Sequence, residues 1–158
     1  MIRIVLLSLI LLGACSRGET PGNTRSSALF PGETREMREM INSFSARYGV
    51  PAPLIHRVVQ RESDYRARAR NGPYYGLMQI LPETARTMGH DGAAEELLDP
   101  AVNLTYGVRY LRGAWLLSGG DYDAAVMHYA RGYYYEARDR CMLVETGLRN
   151  REIARRCR

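Results

Sequence analysis

The sequence predicts a mostly α-helical fold: a single domain over residues 34–158, behind a signal peptide at 1–14 and a flexible tether at 15–33. Three observations carry this reading. Apolar residues recur every three to four positions in segment after segment, each bounded by Gly, Pro or Asp. No run alternates apolar and polar residues as a half-buried strand does. The longest apolar run, Ile4 to Leu12, interrupted by Ser8 alone, lies at the start of the chain and is too short for a stable membrane span. The remaining chain of about 125 residues can bury one core and not two.

The first fifteen residues, MIRIVLLSLILLGAC, place one Arg before the apolar run and small residues before Cys15. Leu12-Gly13-Ala14-Cys15 resembles the bacterial lipobox, which implies cleavage before Cys15 and lipid attachment to it. The alternative is an ordinary secretory signal with an incidental Cys. Either one exports the chain. Several acyl chains anchor a protein stably, where one gives marginal binding. Ser16 resembles a sorting pattern for the outer membrane, so the expected address is its periplasmic face. Ser16 to Gly32 is rich in Ser, Thr, Gly and Pro, and reads as coil with a reach of roughly 20–25 Å.

In the domain, Met37, Met40, Ile41, Phe44 and Tyr48 fall on one helical face that ends at Gly49, before Pro51. A second helix over 53–62 follows. Arg66 to Tyr75 contains Asn71-Gly72-Pro73, a turn signal that leaves Tyr74 and Tyr75 at the edge of a cleft. Pro82 opens a short helix that Gly89 closes. Asp99-Pro100 caps and starts a helix to about Leu117, with Leu104, Val108, Leu111 and Trp115 inward. Gly119-Gly120 interrupts, Asp121 caps, and a helix runs to about Arg131. The tail from Tyr134 reads as two short helices around Gly147.

All 22 basic residues are Arg, and removing Arg3 with the signal lowers the formal charge of +5 by one, to +4. A basic chain invites a nucleic-acid reading, which export argues against; a solvated basic surface explains most single arginines. Of three cysteines, lipidation of Cys15 leaves Cys141 and Cys157 in an oxidising compartment, where an even remainder points to a disulfide. Closing that loop would add about 3 kcal/mol in the chain-entropy account; two separate buried thiols are the alternative. His56, His90 and His128 have no ligand-like spacing with the cysteines, so no metal site is expected.

The chemistry concentrates on the second helix. Leu54, Ile55, Val58, Val59 and Glu62 share one face, with His56, Arg57, Gln60 and Arg61 directed elsewhere. An acid on an apolar stripe is half-desolvated, which disfavours its anion and raises its pKa. Such an acid can hold a proton near neutrality and give it to a leaving group. A Glu paired with a nearby arginine is the competing structural reading. The neighbouring acid Asp64 sits about 200° around a continued helix and faces away.

Glu62-Ser63, followed by Gly76-Leu77-Met78-Gln79-Ile80 and Pro82, resembles the soluble lytic transglycosylase (SLT) domain family, whose fold is similar to goose-type lysozyme. Asn103-Leu104, Gly107 and Tyr110-Leu111 match a third motif of that family, and Tyr129 and Gly132 the ends of a fourth. The likeness runs from about Ile41 to Tyr135. It implies a lysozyme-like helical domain acting on peptidoglycan glycan strands, whose acidic peptide stems also suit an arginine-rich chain. Glu62 would be the catalytic acid. Ser63, Asn71, Met78, Gln79 and Tyr129 would form the substrate-binding set, with Ser63 orienting the backbone or the acid. Met78 would line the cleft, though its residue type alone reads as core, and Tyr129 would hydrogen-bond the carboxyl, or else be a satisfied core tyrosine. Tyr133, Tyr134 and Tyr135 are candidate sugar-stacking rings or packing.

The implied reaction needs one acid and no cofactor. Glu62 protonates the oxygen between N-acetylmuramic acid and N-acetylglucosamine, then takes the proton of the muramic C6 hydroxyl as it closes on C1. A lysozyme-like hydrolase of the same fold would need a second, water-activating acid such as Asp91 or Asp99. A non-catalytic peptidoglycan-binding lipoprotein would not need an inward acid. The chain departs from the family in three ways. Asn71 stands where members often have Ser, the loop to Gly76 is one residue shorter than in many, and Ala130-Arg131 replaces an Asn-Ala pair. Arg131 or His128 would take over the lost polar contact.

Overall fold

The computed structural model describes residues 28–157. The signal peptide, Cys15 and the first part of the tether lie outside the described residues. Six α-helices make up most of the domain: α1 Arg35–Tyr48, α2 Ala52–Ser63, α3 Pro82–Thr87, α4 Pro100–Leu117, α5 Tyr122–Arg131 and α6 Tyr134–Asp139. The predicted mostly helical class holds, and so do its punctuation marks. Asp99 accepts from the amides of Ala101 and Val102, and Asp121 accepts from Ala124. Gly49 takes the left-handed conformation that closes α1.

Helix α4 is the axis. Leu104, Val108 and Leu111 are buried along it, and α1, α3 and α5 pack on its sides. Ile41 and Phe44 of α1 and Leu54, Ile55, Val58 and Val59 of α2 complete the same core. Trp115 is half-buried, with its ring edge-on to Tyr122. A smaller cluster of Tyr75, Ile80, Ala85 and Leu97 packs beside the main core.

Several expectations are corrected. The chain does form strand: Arg70–Asn71 (β1) and Tyr74–Tyr75 (β2) pair antiparallel around the Gly72 turn. Two residues per strand are too few for any periodicity to register. Tyr74 stays exposed but Tyr75 is buried, because Tyr75 bridges back to Ile80 and joins the smaller cluster. A 3-10 turn at Ala94–Leu98 precedes α4. In the tail, α6 ends well before Gly147, which sits in a turn, and a 3-10 turn follows at Arg155–Cys157. Cys141 and Cys157 are joined by a disulfide with Cα atoms 5.4 Å apart.

His56 does not face outward. It is buried, and its Nδ1 lies 2.8 Å from the Tyr65 hydroxyl and 3.7 Å from Glu33. Glu33 in turn pairs with Arg38 through both carboxylate oxygens and accepts from the Phe30 amide. The last residues of the stretch read as tether, 28–33, are thus held on the domain, with the Phe30 ring against His56 and Tyr65. Among the described residues, no helix is long and apolar enough to cross a membrane.

Candidate active site

Glu62 stands on the last turn of α2, and the helix ends at the next residue, Ser63. Asp64 (φ 49°) and Tyr65 (φ 62°) both take left-handed backbone, uncommon without glycine and costing of order 1–3 kcal/mol each. That break lets the Arg66 amide bond back to the Ser63 carbonyl and turns the chain into β1. It also leaves Asp64 exposed on the turn, not on a continued helix.

The Glu62 side chain is 23% exposed. Burial raises its pKa above the ordinary carboxylate value, opposed in part by Arg61, whose Nε lies 3.7 Å from Oε1. The carboxyl lines two adjoining cavities. One, of about 600 Å³, is shared with Arg66, Arg68, Arg70, Asn71 and Gln79. The other, of about 320 Å³, is shared with Arg61, Asn71, Tyr74, Gln79 and Tyr129. A third cavity continues past Tyr74, Gln79 and Tyr129 to Tyr110 and Arg131, and a fourth past Tyr110 to Tyr134 and Arg149. Their shared walls make one groove across the domain, with Glu62 towards one end. Among the described residues, no second carboxylate lines either cavity that Glu62 reaches. Of the acids elsewhere, Asp99, Asp121 and Glu96 cap backbone amides, Asp123 pairs with Arg57, and Asp91 is exposed and lines neither of these two cavities.

The floor of the groove is the Gly76–Ile80 turn, fastened from three sides. Ser63 Oγ donates to the Leu77 carbonyl at 2.7 Å. Tyr129 Oη donates to the Met78 carbonyl at 2.8 Å. Asn103, fully buried, accepts from the Met78 amide at 2.8 Å and donates to the carbonyls of Tyr75 and Leu97 at 2.8 and 2.7 Å. Two glycines permit this. A Cβ on Gly76 would sit 2.3 Å from Asn103 Nδ2, and one on Gly107 would sit 2.6 Å from Met78 Sδ. Gln79 is held at φ 46°, and its Nε2 donates to the carbonyls of Ala69 and Gly76.

Glu62, Asn71, Gln79 and Tyr129 therefore meet around the groove, while Ser63 and Met78 do not reach its surface. Ser63 is buried beneath the turn, and the Met78 side chain is wholly within the core. Both act through the backbone, which positions the floor instead of touching a ligand. The Tyr129 hydroxyl is spent on Met78 and not on the Glu62 carboxyl, although the two are near enough that Glu62 helps to raise the tyrosine pKa, after burial itself. Tyr133 is buried with its hydroxyl on the Tyr110 carbonyl, so it is no stacking ring; Tyr135 is 71% exposed. Arg131 lines the groove, whereas His128 turns to Glu136, its Nδ1 3.4 Å from the carboxylate. Sequence reasoning gave Asn103 no structural role. An asparagine inside an otherwise apolar helical stripe was the available signal.

The transglycosylase SLT domain family matches residues 39–139. The chain is 36% identical over 95 residues to a transglycosylase of Enterobacteria phage PRD1, covering 60% of this chain and 34% of that protein. It is 34% identical over 91 residues to membrane-bound lytic murein transglycosylase C of Mannheimia succiniciproducens, and 33% identical to the Haemophilus influenzae protein of the same name, in each case covering 52% of this chain and 25% of the relative. The chain thus spans about a third of the phage protein and a quarter of the other two. No solved structure gives a match. With most of the domain, the Glu62 turn and the Asn103 anchor inside the matched span, the chain belongs to the transglycosylase SLT domain family.

Proposed function

We propose that the protein is a peptidoglycan lytic transglycosylase in which Glu62 serves as acid and then as base. The observation that carries this is a half-buried carboxyl with a raised pKa in a long open groove, joined among the described residues by no second acid in either cavity that it lines. Protonated Glu62 gives its proton to the oxygen between C1 of N-acetylmuramic acid and C4 of N-acetylglucosamine, and the C1–O bond breaks. The Glu62 carboxylate then takes the proton of the muramic C6 hydroxyl, whose oxygen bonds to C1. The product is 1,6-anhydromuramic acid, and Glu62 ends as it began. Water is not consumed, so a second acid to activate it has no task. Gln79 keeps Oε1 free of protein donors among the described residues, and with Asn71 it offers polar contacts to the sugars. Lipid on Cys15 and a tether would hold the domain at the periplasmic face of the outer membrane, within reach of the wall.

Mass spectrometry of muropeptides from digested sacculi tests the reading. The expected products are anhydro-muropeptides, lighter by one water than hydrolysed ones and absent with Glu62→Gln. Reducing-end products would make the protein a hydrolase. No products, with binding to sacculi retained, would make it a glycan-binding lipoprotein.

A further inference from the structure

The cavity on one side of Glu62 is walled by Arg66, Arg68 and Arg70, and among the described residues none of the three is paired with a carboxylate. Two are steadied by single contacts. Arg66 Nε donates to the Ser63 carbonyl, and Arg70 donates to the Tyr75 hydroxyl while its guanidinium lies 4.4 Å from that ring's centroid. Arg68 has no protein partner among the described residues. Most of the guanidinium donors around this cavity of about 600 Å³ are therefore uncommitted. Three like charges facing one concavity repel each other, and an anion placed between them relieves that repulsion. The guanidinium fork matches a carboxylate in two parallel hydrogen bonds.

We infer that Arg66, Arg68 and Arg70 form a carboxylate subsite that reads the peptide stem of the strand being cut. This rests on the transglycosylase reading above. The muramic sugar, whose C1–O bond breaks, carries its stem on the lactyl group, and stem peptides bear free carboxylates. The arginine cavity shares Glu62, Asn71 and Gln79 with its neighbour, so a stem held there belongs to a sugar at the reacting acid. The nearer cation on Glu62 is Arg61, outside this cavity's wall, so stem binding and proton transfer rest on separate arginines.

The test is a ratio. Initial rates are measured on stem-bearing glycan strands, on the same strands stripped by an amidase, and on strands whose stem carboxylates have been amidated. The wild type should prefer stem-bearing over stripped strands by about tenfold in kcat/KM, mostly through KM, with amidated strands behaving as stripped ones. Arg66→Gln/Arg68→Gln should bring that preference close to one; a general folding defect would slow all substrates and leave the ratio intact. Equal wild-type rates on amidated and free-acid stems, or an undiminished preference in the variant, would overturn the subsite. If the wild type makes no anhydro product from any strand, the transglycosylase reading fails. Binding of the three strand types to Glu62→Gln by calorimetry then decides the subsite separately, and equal affinities would sink it.

Discussion

Replacing Asn103 should unmake the groove floor without touching the groove. In Asn103→Ala three buried hydrogen bonds disappear, those to Met78 N, Tyr75 O and Leu97 O. At about 1 kcal/mol each the loss is about 3 kcal/mol, rising to about 5 kcal/mol because the Met78 amide is left dry and partnerless. Over a domain of this size that corresponds to a melting temperature lower by roughly 12–20 °C. Asn103→Asp is the sharper variant. It keeps the acceptor for Met78 but presents an oxygen to two carbonyls in a fully buried position. Burial raises the pKa of the introduced carboxyl, so its protonated form, which can donate to one carbonyl, is the compatible one. Its stability is therefore highest below the unfolded carboxyl pKa of about 3.9 and is lost as pH rises through the higher folded value. Urea unfolding followed by circular dichroism, at neutral and acidic pH, reads both variants. A loss under about 1 kcal/mol for Asn103→Ala, or an Asn103→Asp as stable as wild type at neutral pH, would refute the triple anchor.

Tyr129→Phe removes the hydroxyl that holds the Met78 carbonyl and should cost about 1–2 kcal/mol in urea unfolding, together with a clear loss of turnover. Glu62→Gln should melt higher than wild type at neutral pH, because burial raises the Glu62 pKa and its anion opposes folding. The sign follows from linkage: the wild type has its full stability below the ordinary value of 4.5 and loses part of it as pH rises through the folded value, so the two melting curves should converge in acid.

The helices were legible because their signals are local. Asp99-Pro100, Asp121 and Gly49 need only their nearest neighbours to cap or close a helix, and the apolar spacing in between needs no partner to be seen. His56 was not legible, since its burial is decided by Glu33, which comes from ahead of α1, and Tyr65, which follows α2. Ser63 and Met78 show a different limit. The likeness named both for the site, but a motif carries no direction, and both lie beneath the floor of the groove. Among the clustered tyrosines, Tyr133 and Tyr135 differ by two residues across the start of α6, which sends one into the core and the other into solvent. No composition argument separates them.

The groove joins two kinds of wall, and the division has a chemical sense. Proton transfer tolerates little misplacement, and the wall that bears on Glu62 is tightly held: Ser63, Asn103 and Tyr129 clamp one turn, and neither its Gly76 nor Gly107 of α4 against it admits a Cβ. Recognition of a flexible stem asks for the opposite, long side chains with spare donors, and those are what Arg66 to Arg70 supply. The left-handed pair Asp64-Tyr65 is the seam between them. It ends α2 just after the acid, so the helix fixes Glu62 while the turn that follows delivers the arginines. Were α2 to continue, Arg66 would fall one turn beyond Glu62 on the same face and Arg68 far around the helix, so the arginines would no longer wall one cavity together. The strain is therefore best understood as the cost of putting a rigid acid and an adaptable anion site side by side within nine residues of chain.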